Sequence, residues 1–72
     1  DGVKLGLLFE EDSAKIKVSI RSRPGFAANE LALIFNGGGH KQAAGCQLCC
    51  SLQESIELVL REARRMLEPR GL

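Results

Sequence analysis

The segment AKIKVSIRS (residues 14–22) decides the fold, because apolar and polar side chains alternate along it. Ile16, Val18 and Ile20 fall on one face, and lysine, serine and arginine side chains fall on the other. A period of two is typical of a half-buried β-strand, which places one face on a core and the other in water. The segment therefore predicts a sheet with one covered face.

A second aliphatic run, VKLGLLFEE (residues 3–11), precedes this strand, and Asp12 and Ser13 follow it directly. Aspartate and serine favour turns, because their short polar side chains bond to nearby backbone groups. Two extended runs joined by such a turn predict a β-hairpin.

After the hairpin, a Pro-Gly pair at residues 24–25 predicts a turn. Asn29 suits the N-cap of a short helix, ELALIF (residues 30–35), because its side-chain oxygen can accept a bond from the first helical N–H groups. The helix would end at Asn36, with Gly37 free to take the left-handed backbone angles beyond it. GCQLCC (residues 45–50) then predicts a third strand.

The last part of the chain predicts a long helix, which begins at a capping box formed by Ser51 and Glu54. Apolar residues recur behind the box at helical spacing, and Pro69 and Gly71 predict the end of the helix. The apolar positions are Leu52, Ile56, Val59, Leu60, Ala63 and Leu67. We expect the core of so small a domain to need this stripe, which leaves no surplus face for a partner.

These elements predict an α+β fold in one domain over residues 1–72. Its parts are a small mixed β-sheet (the hairpin plus the third strand), a short helix, and a long C-terminal helix, with the helices packed on one face of the sheet. The chain begins at Asp1 and not at Met, so we expect it to be part of a longer protein.

Composition limits the function classes. A net charge of +1 excludes a broadly basic protein that coats nucleic acid. No apolar run approaches the ~20 residues of a membrane span, so we expect no membrane partner. The three cysteines, Cys46, Cys49 and Cys50, crowd together, which suits a reducing cytoplasm better than a disulfide framework.

FNGGGHKQAAGC (residues 35–46) places three consecutive glycines before His40, the one histidine of the sequence. Backbone N–H groups in a glycine-rich turn can converge on an anion, and HKQAA (residues 40–44) predicts a helical turn, closed by Gly45, that would face the same anion. His40 and Lys41 would add charge or hydrogen bonds. The alternative is a flexible connector, because GGGH matches no phosphate-loop fingerprint.

Two arginines in SIRSRP (residues 19–24) form the next candidate site. Arginine binds phosphate through a fork of two parallel hydrogen bonds. Arg21 lies on the polar face of the predicted strand, and Arg23 lies just past its end. The alternative is a solvated strand face.

The other polar residues do not assemble a catalyst. Cys46, Cys49 and Cys50 near His40 raise a zinc interpretation, but strand geometry turns Cys49 away from the other two, so small packed thiols are favoured. The two aspartates lie at the terminus and in a turn, too few for a two-metal hydrolase site. The sequence therefore predicts no metal site and no complete catalytic set in this chain.

The arginine strand, the short helix and NGGGHKQAAGC (residues 36–46) together resemble the DHH-associated C-terminal domain of the DHH-family phosphoesterases. The likeness is strongest to the branch with the oligoribonuclease/pAp phosphatases and related cyclic-dinucleotide phosphodiesterases. Many relatives carry four glycines before the histidine, whereas Asn36 stands first here. Asparagine tolerates left-handed backbone angles, so we expect the loop to keep its shape.

The resemblance implies a division of labour. An N-terminal DHH domain, absent from this chain, would hold two Mn²⁺ ions, and this domain would close over the cleft and grip a nucleotide or short oligonucleotide. No cofactor is expected in this chain itself, and His40 would contact a phosphate near the metal centre. The implied substrate-binding residues are Arg21, Ser22, Gly37, Gly38, Gly39 and His40, and charge alone adds Arg23 and Lys41.

The leading hypothesis is therefore the nucleotide-binding subdomain of a manganese-dependent phosphoesterase that acts on short oligoribonucleotides, pAp, or cyclic or linear dinucleotides. The alternative is a single-stranded nucleic-acid-binding module of a nuclease or tRNA synthetase, which the near-neutral charge and the lack of Trp and Tyr disfavour. A third hypothesis is a structural or dimerising domain whose loop is a connector.

Overall fold

The computed structural model describes residues 4–68 and shows an α+β fold, as the sequence predicts. A four-stranded sheet carries two helices, a short one and a longer C-terminal one. The elements are β1 (Leu5–Asp12), β2 (Lys15–Ser22), α1 (Ala28–Ile34), β3 (Gly38–His40), β4 (Ala43–Leu48) and α2 (Leu52–Leu67).

The sheet has the strand order β1-β2-β4-β3, and each neighbouring pair is antiparallel. The prediction of a mixed sheet was therefore wrong, and β3 is a fourth strand that was not predicted. The glycines that look unsuited to a strand extend beside β4, and a tight turn at residues 41–42 joins the two strands. This turn reverses the chain, so β4 runs antiparallel to β3. β4 also runs antiparallel to β2, its neighbour on the other side.

The predicted hairpin is confirmed, with Asp12 opposite Lys15 at its closed end. The turn consists of Ser13 and Ala14, one residue later than predicted, and Ser13 takes a left-handed φ of 58°. Asp12 is instead the last residue of β1.

One face of the sheet carries the core, and the other is open. The predicted inward residues of β2 are buried, between 0% and 3% exposed. The helices pack over these residues and leave the opposite face without a covering element among residues 4–68. The buried apolar set is Ile16, Val18, Ile20, Phe26, Ala28, Leu31, Ala32, Cys46, Leu48, Val59 and Ala63.

α1 begins differently from the prediction. Ala27, whose side chain cannot cap, is the N-cap, and Asn29 lies inside the first turn with its Oδ1 buried and unpartnered in the described part of the chain. A tertiary contact fixes this start, because the N–H of Ala28 donates to the carbonyl of Lys41 at 2.6 Å. Side-chain capping is therefore not needed to place the helix.

The end of α1 is held by Asn36. It takes the left-handed position, with φ of 64°, that was expected of Gly37. The N–H of Asn36 donates to Leu33 and that of Gly37 to Ala32, which is the Schellman pattern of helix ends. The prediction that asparagine tolerates a left-handed backbone angle at this position is confirmed.

α2 confirms the predicted C-terminal helix and its capping box. The backbone N–H of Glu54 donates to Ser51 Oγ at 3.1 Å, and the N–H of Ser51 donates to the Glu54 carboxylate at 3.3 Å. The predicted stripe was partly wrong, since Leu67 is 44% exposed and Ile56 and Leu60 are only half-buried and do not pack against the core cluster. Ser55 is buried and Met66 packs against the core instead. Pro69 and Gly71 lie outside the described residues. No helix within residues 4–68 has the length and hydropathy needed to cross a bilayer.

Candidate functional site

The glycine-histidine segment forms a β-hairpin and not the predicted loop and helical turn. His40 is the last residue of β3, Lys41 and Gln42 form the turn, and Ala43 begins β4. The prediction of a helical turn at residues 40–44 was wrong. The backbone groups of β4 are instead paired with β2 on one side and with β3 on the other.

The extended backbone of β3 also rules out the predicted nest of converging N–H groups. The N–H of Ser22 donates to Gln42, which shows that even-numbered residues of β4 bond to β2 and odd-numbered residues bond to β3. Gly38 and His40, opposite odd-numbered partners, therefore direct their N–H groups into the sheet, and Gly39 directs its N–H outward. N–H groups that alternate in direction cannot surround one anion.

The three glycines have different reasons to lack a side chain. A Cβ on Gly37 would collide with the carbonyl of Gly45, and one on Gly39 would lie 2.6 Å from Ala44 Cα. Gly39 also has a φ of 143°, which side-chain-bearing residues rarely adopt. A Cβ on Gly38 would meet nothing within 4 Å. Packing therefore explains why Gly37 and Gly39 lack a side chain, and only Gly38 leaves space on the open face.

The strand register brings Arg21 and His40 together on that open face. Arg21 of β2 lies opposite Ala43 of β4, and Ala43 lies opposite His40 of β3; Gly6 of β1 completes the row. Residues directly opposite each other share a face of a sheet, and Arg21 is on the side away from the buried Ile20. We call these four residues the arginine–histidine row.

Small residues separate Arg21 from His40 in this row. Two strand spacings place the Cα atoms of Arg21 and His40 about 10 Å apart. Ala43 between them and Gly6 beyond Arg21 leave the backbone accessible, and Arg21 and His40 are both exposed. Within residues 4–68 neither side chain has a hydrogen bond or ion pair, so both are available to a ligand.

Ser22 holds the two halves of the row in place. Its hydroxyl donates to the carbonyl of Phe26 at 2.8 Å and lies 3.3 Å from the carbonyl of Lys41. The same Lys41 carbonyl accepts the N–H of Ala28. Ser22 was predicted to bind substrate, and the structure gives its hydroxyl proton to the carbonyl of Phe26. Its backbone N–H donates to the carbonyl of Gln42 at 3.0 Å and ties the β3–β4 turn to the end of β2.

Positive charge gathers at this end of the sheet. A depression of about 300 Å³ there is lined by Lys4, Arg21 and Arg23 together with Ser22 and the first residues of β1. Lys41 follows His40 in the turn and is exposed. The carboxylates of the sheet lie at the other end, where Glu10 and Asp12 stand opposite lysines of β2. Anions would therefore be drawn to the end that contains Arg21.

A second depression lies beside this row on the open face. It has a volume of about 360 Å³, and its floor is formed around Gly45 and Ser19, which are paired across β4 and β2. Asn36, Gln47 and Lys17 stand around it. We call it the Asn36 depression.

The cysteines do not join either depression as a group. Cys46 is buried, Cys50 lies 3.2 Å from the Ser55 hydroxyl, and Cys49 is exposed after the end of β4. Burial raises the pKa of the Cys46 thiol, which keeps it protonated and unreactive. In the part of the chain that the structure describes, no three His, Cys, Asp or Glu side chains gather as a metal site.

Sequence reasoning found Arg21 and His40 as candidate ligands of the site and missed the small residues around them. Only the register of the strand pairs places Ala43 between Arg21 and His40 and Gly6 beyond Arg21, and it puts Ser19 and Gly45 in the neighbouring row. The alternation of β2 was the one available signal, because it placed Arg21 on the open face.

Two comparisons with known proteins relate this chain to a family. The model of the DHHA1 domain matches residues 1–68. The chain is also 38% identical over 72 residues to the bifunctional oligoribonuclease and PAP phosphatase NrnA of Thermus thermophilus. That match covers 99% of this chain and 22% of the relative, so the chain spans about a fifth of the relative's length.

Proposed function

This chain belongs to the DHHA1 family, and on that premise we propose that it binds the phosphate of a nucleotide or short oligonucleotide on the arginine–histidine row. The bound nucleotide would be the substrate of a phosphoesterase whose catalytic DHH domain lies elsewhere in a longer protein. The observation that carries the proposal is the register that puts Arg21 and His40 on one exposed face with only Ala43 between them.

The chemistry of the row suits a phosphate. The guanidinium of Arg21 can give two parallel hydrogen bonds to phosphate oxygens, and His40 can donate from the other side of Ala43. Arg23, Lys4 and Lys41 add charge at the same end of the sheet and would attract the anion before contact. These residues bind and orient; none of them supplies a nucleophile.

The proposal assigns manganese to the catalytic DHH domain of a longer protein and not to this chain. Residues 4–68 offer no cluster of three metal ligands, so we assign no metal-binding residue to this chain. In the parent enzyme, Mn²⁺ would activate the attacking water in the DHH domain, and this domain would present the phosphodiester or phosphomonoester to it. The expected substrates are short oligoribonucleotides, pAp, or cyclic or linear dinucleotides.

The alternative is a module that binds long single-stranded nucleic acid, and such a module usually presents aromatic side chains to the bases. Sequence-tolerant binding of single strands relies on aromatic side chains that stack on successive bases. All three phenylalanines of the sequence, Phe9, Phe26 and Phe35, are buried in the core or packed against it, so none is presented on the open face. The structure therefore favours a short ligand.

Titration of the ¹⁵N-labelled chain with pAp, monitored by NMR, tests the proposal. We expect shift changes in the amides of the arginine–histidine row, and we expect Arg21→Ala and His40→Ala to abolish them. Lys15→Ala is the matched control, because Lys15 lies on the same strand and face but opposite Asp12. Normal binding by Arg21→Ala would overturn the proposal.

Two further measurements separate the alternatives. A marked preference for a long single strand over a dinucleotide, with affinity that falls steeply as salt rises, would favour the nucleic-acid module. The chain alone should not hydrolyse a model phosphodiester with Mn²⁺. Hydrolysis that His40→Ala abolishes would show that the chain is itself a catalyst.

A further inference from the structure

The outer edge of β1 is open. β1 stands at one end of the strand order, so among residues 4–68 only β2 pairs with it. The N–H of Arg23 donates to the carbonyl of Lys4, which shows that the even-numbered residues of this strand bond to β2. The N–H and carbonyl groups of the odd-numbered residues therefore point outward, where no strand of the described part of the chain receives them. These residues are Leu5, Leu7, Phe9 and Glu11.

This edge lacks the features that commonly keep the edges of sheets apart. Proteins protect an edge by making it short or by placing a proline or a bulge in it. The opposite edge, β3, has three residues, whereas β1 has eight, contains no proline and pairs with β2 in an unbroken register. Leu8 near its centre lies on the open face opposite Ser19 and is 56% exposed. A long, regular edge of this kind is suited to accept another strand.

The charges along β1 select the strand that fits beside it. Glu10, Glu11 and Asp12 make one end of the strand negative. Lys4 makes the other end positive, and Arg21 of the neighbouring strand adds to that charge. A second copy of β1 in parallel orientation would set carboxylates beside carboxylates, which is unfavourable. A second copy in antiparallel orientation sets each negative end beside a positive one.

We propose that two copies of this chain pair through β1 in antiparallel orientation, about a twofold axis at Leu8, into one sheet with four strands from each copy. In this register Leu8 faces Leu8 of the second copy, so each covers the exposed side chain of the other. Lys4 faces Asp12 of the second copy at both ends of the contact. A shift by two residues in either direction would place Leu8 opposite Gly6 or Glu10 and lose the leucine contact.

The same register satisfies the open backbone groups of the edge. It sets Leu5 opposite Glu11 and Leu7 opposite Phe9, and all four residues point their N–H and carbonyl groups outward. Directly opposed residues of this kind exchange two hydrogen bonds in an antiparallel pair. Leu7 and Phe9 pack against the core, so their pairing continues the apolar layer from one copy into the other. One strand pair is a small interface, so we expect a weak dimer with a Kd of about 10 μM to 1 mM.

Sedimentation equilibrium of the chain over this concentration range tests the proposal. Leu8→Lys should weaken the dimer about tenfold or more, because it removes the leucine contact and sets two cations against each other. Leu33→Lys is the matched control, since it makes the same change at a leucine that is 60% exposed on α1, and it should leave the Kd unchanged. A chain that remains monomeric at about 1 mM, or a Leu8→Lys dimer of unchanged affinity, would overturn the proposal.

A second pair of variants tests the backbone bonds of the edge. Glu11→Pro removes an N–H that points outward and leaves the bonds to β2 in place, so it should keep the fold and weaken the dimer about fivefold or more. Glu11→Ala loses the same carboxylate but keeps the N–H, and it should dimerise like the wild type. Circular dichroism checks the fold of both variants. A folded Glu11→Pro variant with the affinity of the wild type would show that the copies do not pair through β1.

NMR of the concentrated chain determines the register. Gly6 faces Glu10 of the second copy at a position without hydrogen bonds, where the Cα atoms approach to about 4.5 Å. Within one chain these residues are about 13 Å apart along the extended strand. We therefore expect a nuclear Overhauser effect between their Hα protons that arises only between copies. Its absence from a sample that is mostly dimer would overturn the pairing about Leu8.

Discussion

At the scale of single residues, Gly38 and Gly39 are neighbours with opposite requirements. Gly39 is needed by the fold, since its φ is 143° and a Cβ would lie 2.6 Å from Ala44 Cα. Gly38 has neither constraint. Consecutive glycines can therefore be present for different reasons. Only the atoms around each glycine show whether packing requires it or whether it leaves free space.

Alanine substitution should expose this difference. Gly39→Ala should lower the free energy of unfolding by about 2 kcal/mol or more, because of backbone strain and collision. Gly38→Ala should change stability by less than about 0.5 kcal/mol and should weaken nucleotide binding, because its methyl group would stand on the open face two residues along β3 from His40. Urea unfolding and NMR titration of both variants check this; a stable Gly39→Ala variant would contradict the packing argument.

At the scale of elements, α2 and α1 show two ways of fixing the ends of a helix. α2 starts at a side-chain cap that the local sequence encodes. α1 starts at Ala27 with no side-chain bond and is placed by the contact of Ala28 with the β3–β4 turn. Local sequence predicted the first start and missed the second, because the second depends on residues 13 positions away along the chain.

Removal of the α2 cap should therefore have a local, measurable effect. Ser51→Ala should lower the free energy of unfolding by about 1 kcal/mol, because the N–H of Glu54 loses its acceptor. Ser51→Asp should retain most of the stability, since aspartate also caps. Thermal and urea unfolding monitored by circular dichroism measure both variants, and equal stability of Ser51→Ala and the wild type would show that the cap contributes nothing.

At the scale of the whole molecule, hydrogen bonds link the β3–β4 turn to the end of β2 and to the start of α1. We call this set of contacts the tie. The carbonyl of Lys41 accepts the N–H of Ala28 and lies 3.3 Å from the Ser22 hydroxyl, which also donates to the carbonyl of Phe26. This contact joins the strand that carries Arg21 to the hairpin that carries His40. The pairing of β2 with β4 and of β4 with β3 sets the distance between Arg21 and His40, and the Ser22 hydroxyl adds a further link at the end of that ladder.

Ser22→Ala tests this link. We expect a loss of about 1 kcal/mol in the free energy of unfolding, the usual net contribution of one hydrogen bond, together with weaker nucleotide binding. Ser22→Thr keeps the hydroxyl and should restore both properties. Ser19→Ala removes a hydroxyl from the same strand without touching the tie and should keep the stability. If Ser22→Ala binds nucleotide normally, the tie does not position the site.

Much of the architecture could be predicted from sequence, because its signals are local. The alternation around Ile20 defined a half-buried strand, the turn at Ser13 defined the hairpin, and the Ser51–Glu54 pair defined the start of α2. The candidate site was predictable only as separate parts. Arg21 and His40 were identified as candidate phosphate-binding residues, but their positions relative to each other were not predicted.

The sequence by itself determined which face of β2 is buried, where the long helix begins, and which residues carry positive charge. Periodicity and capping act within a few residues, so they can be read along the chain. Only the tertiary structure decided that the glycines form β3, that Asn36 takes the left-handed position, and that Ala43 separates Arg21 from His40. These features depend on strand order and register, which are set by contacts between residues far apart in sequence.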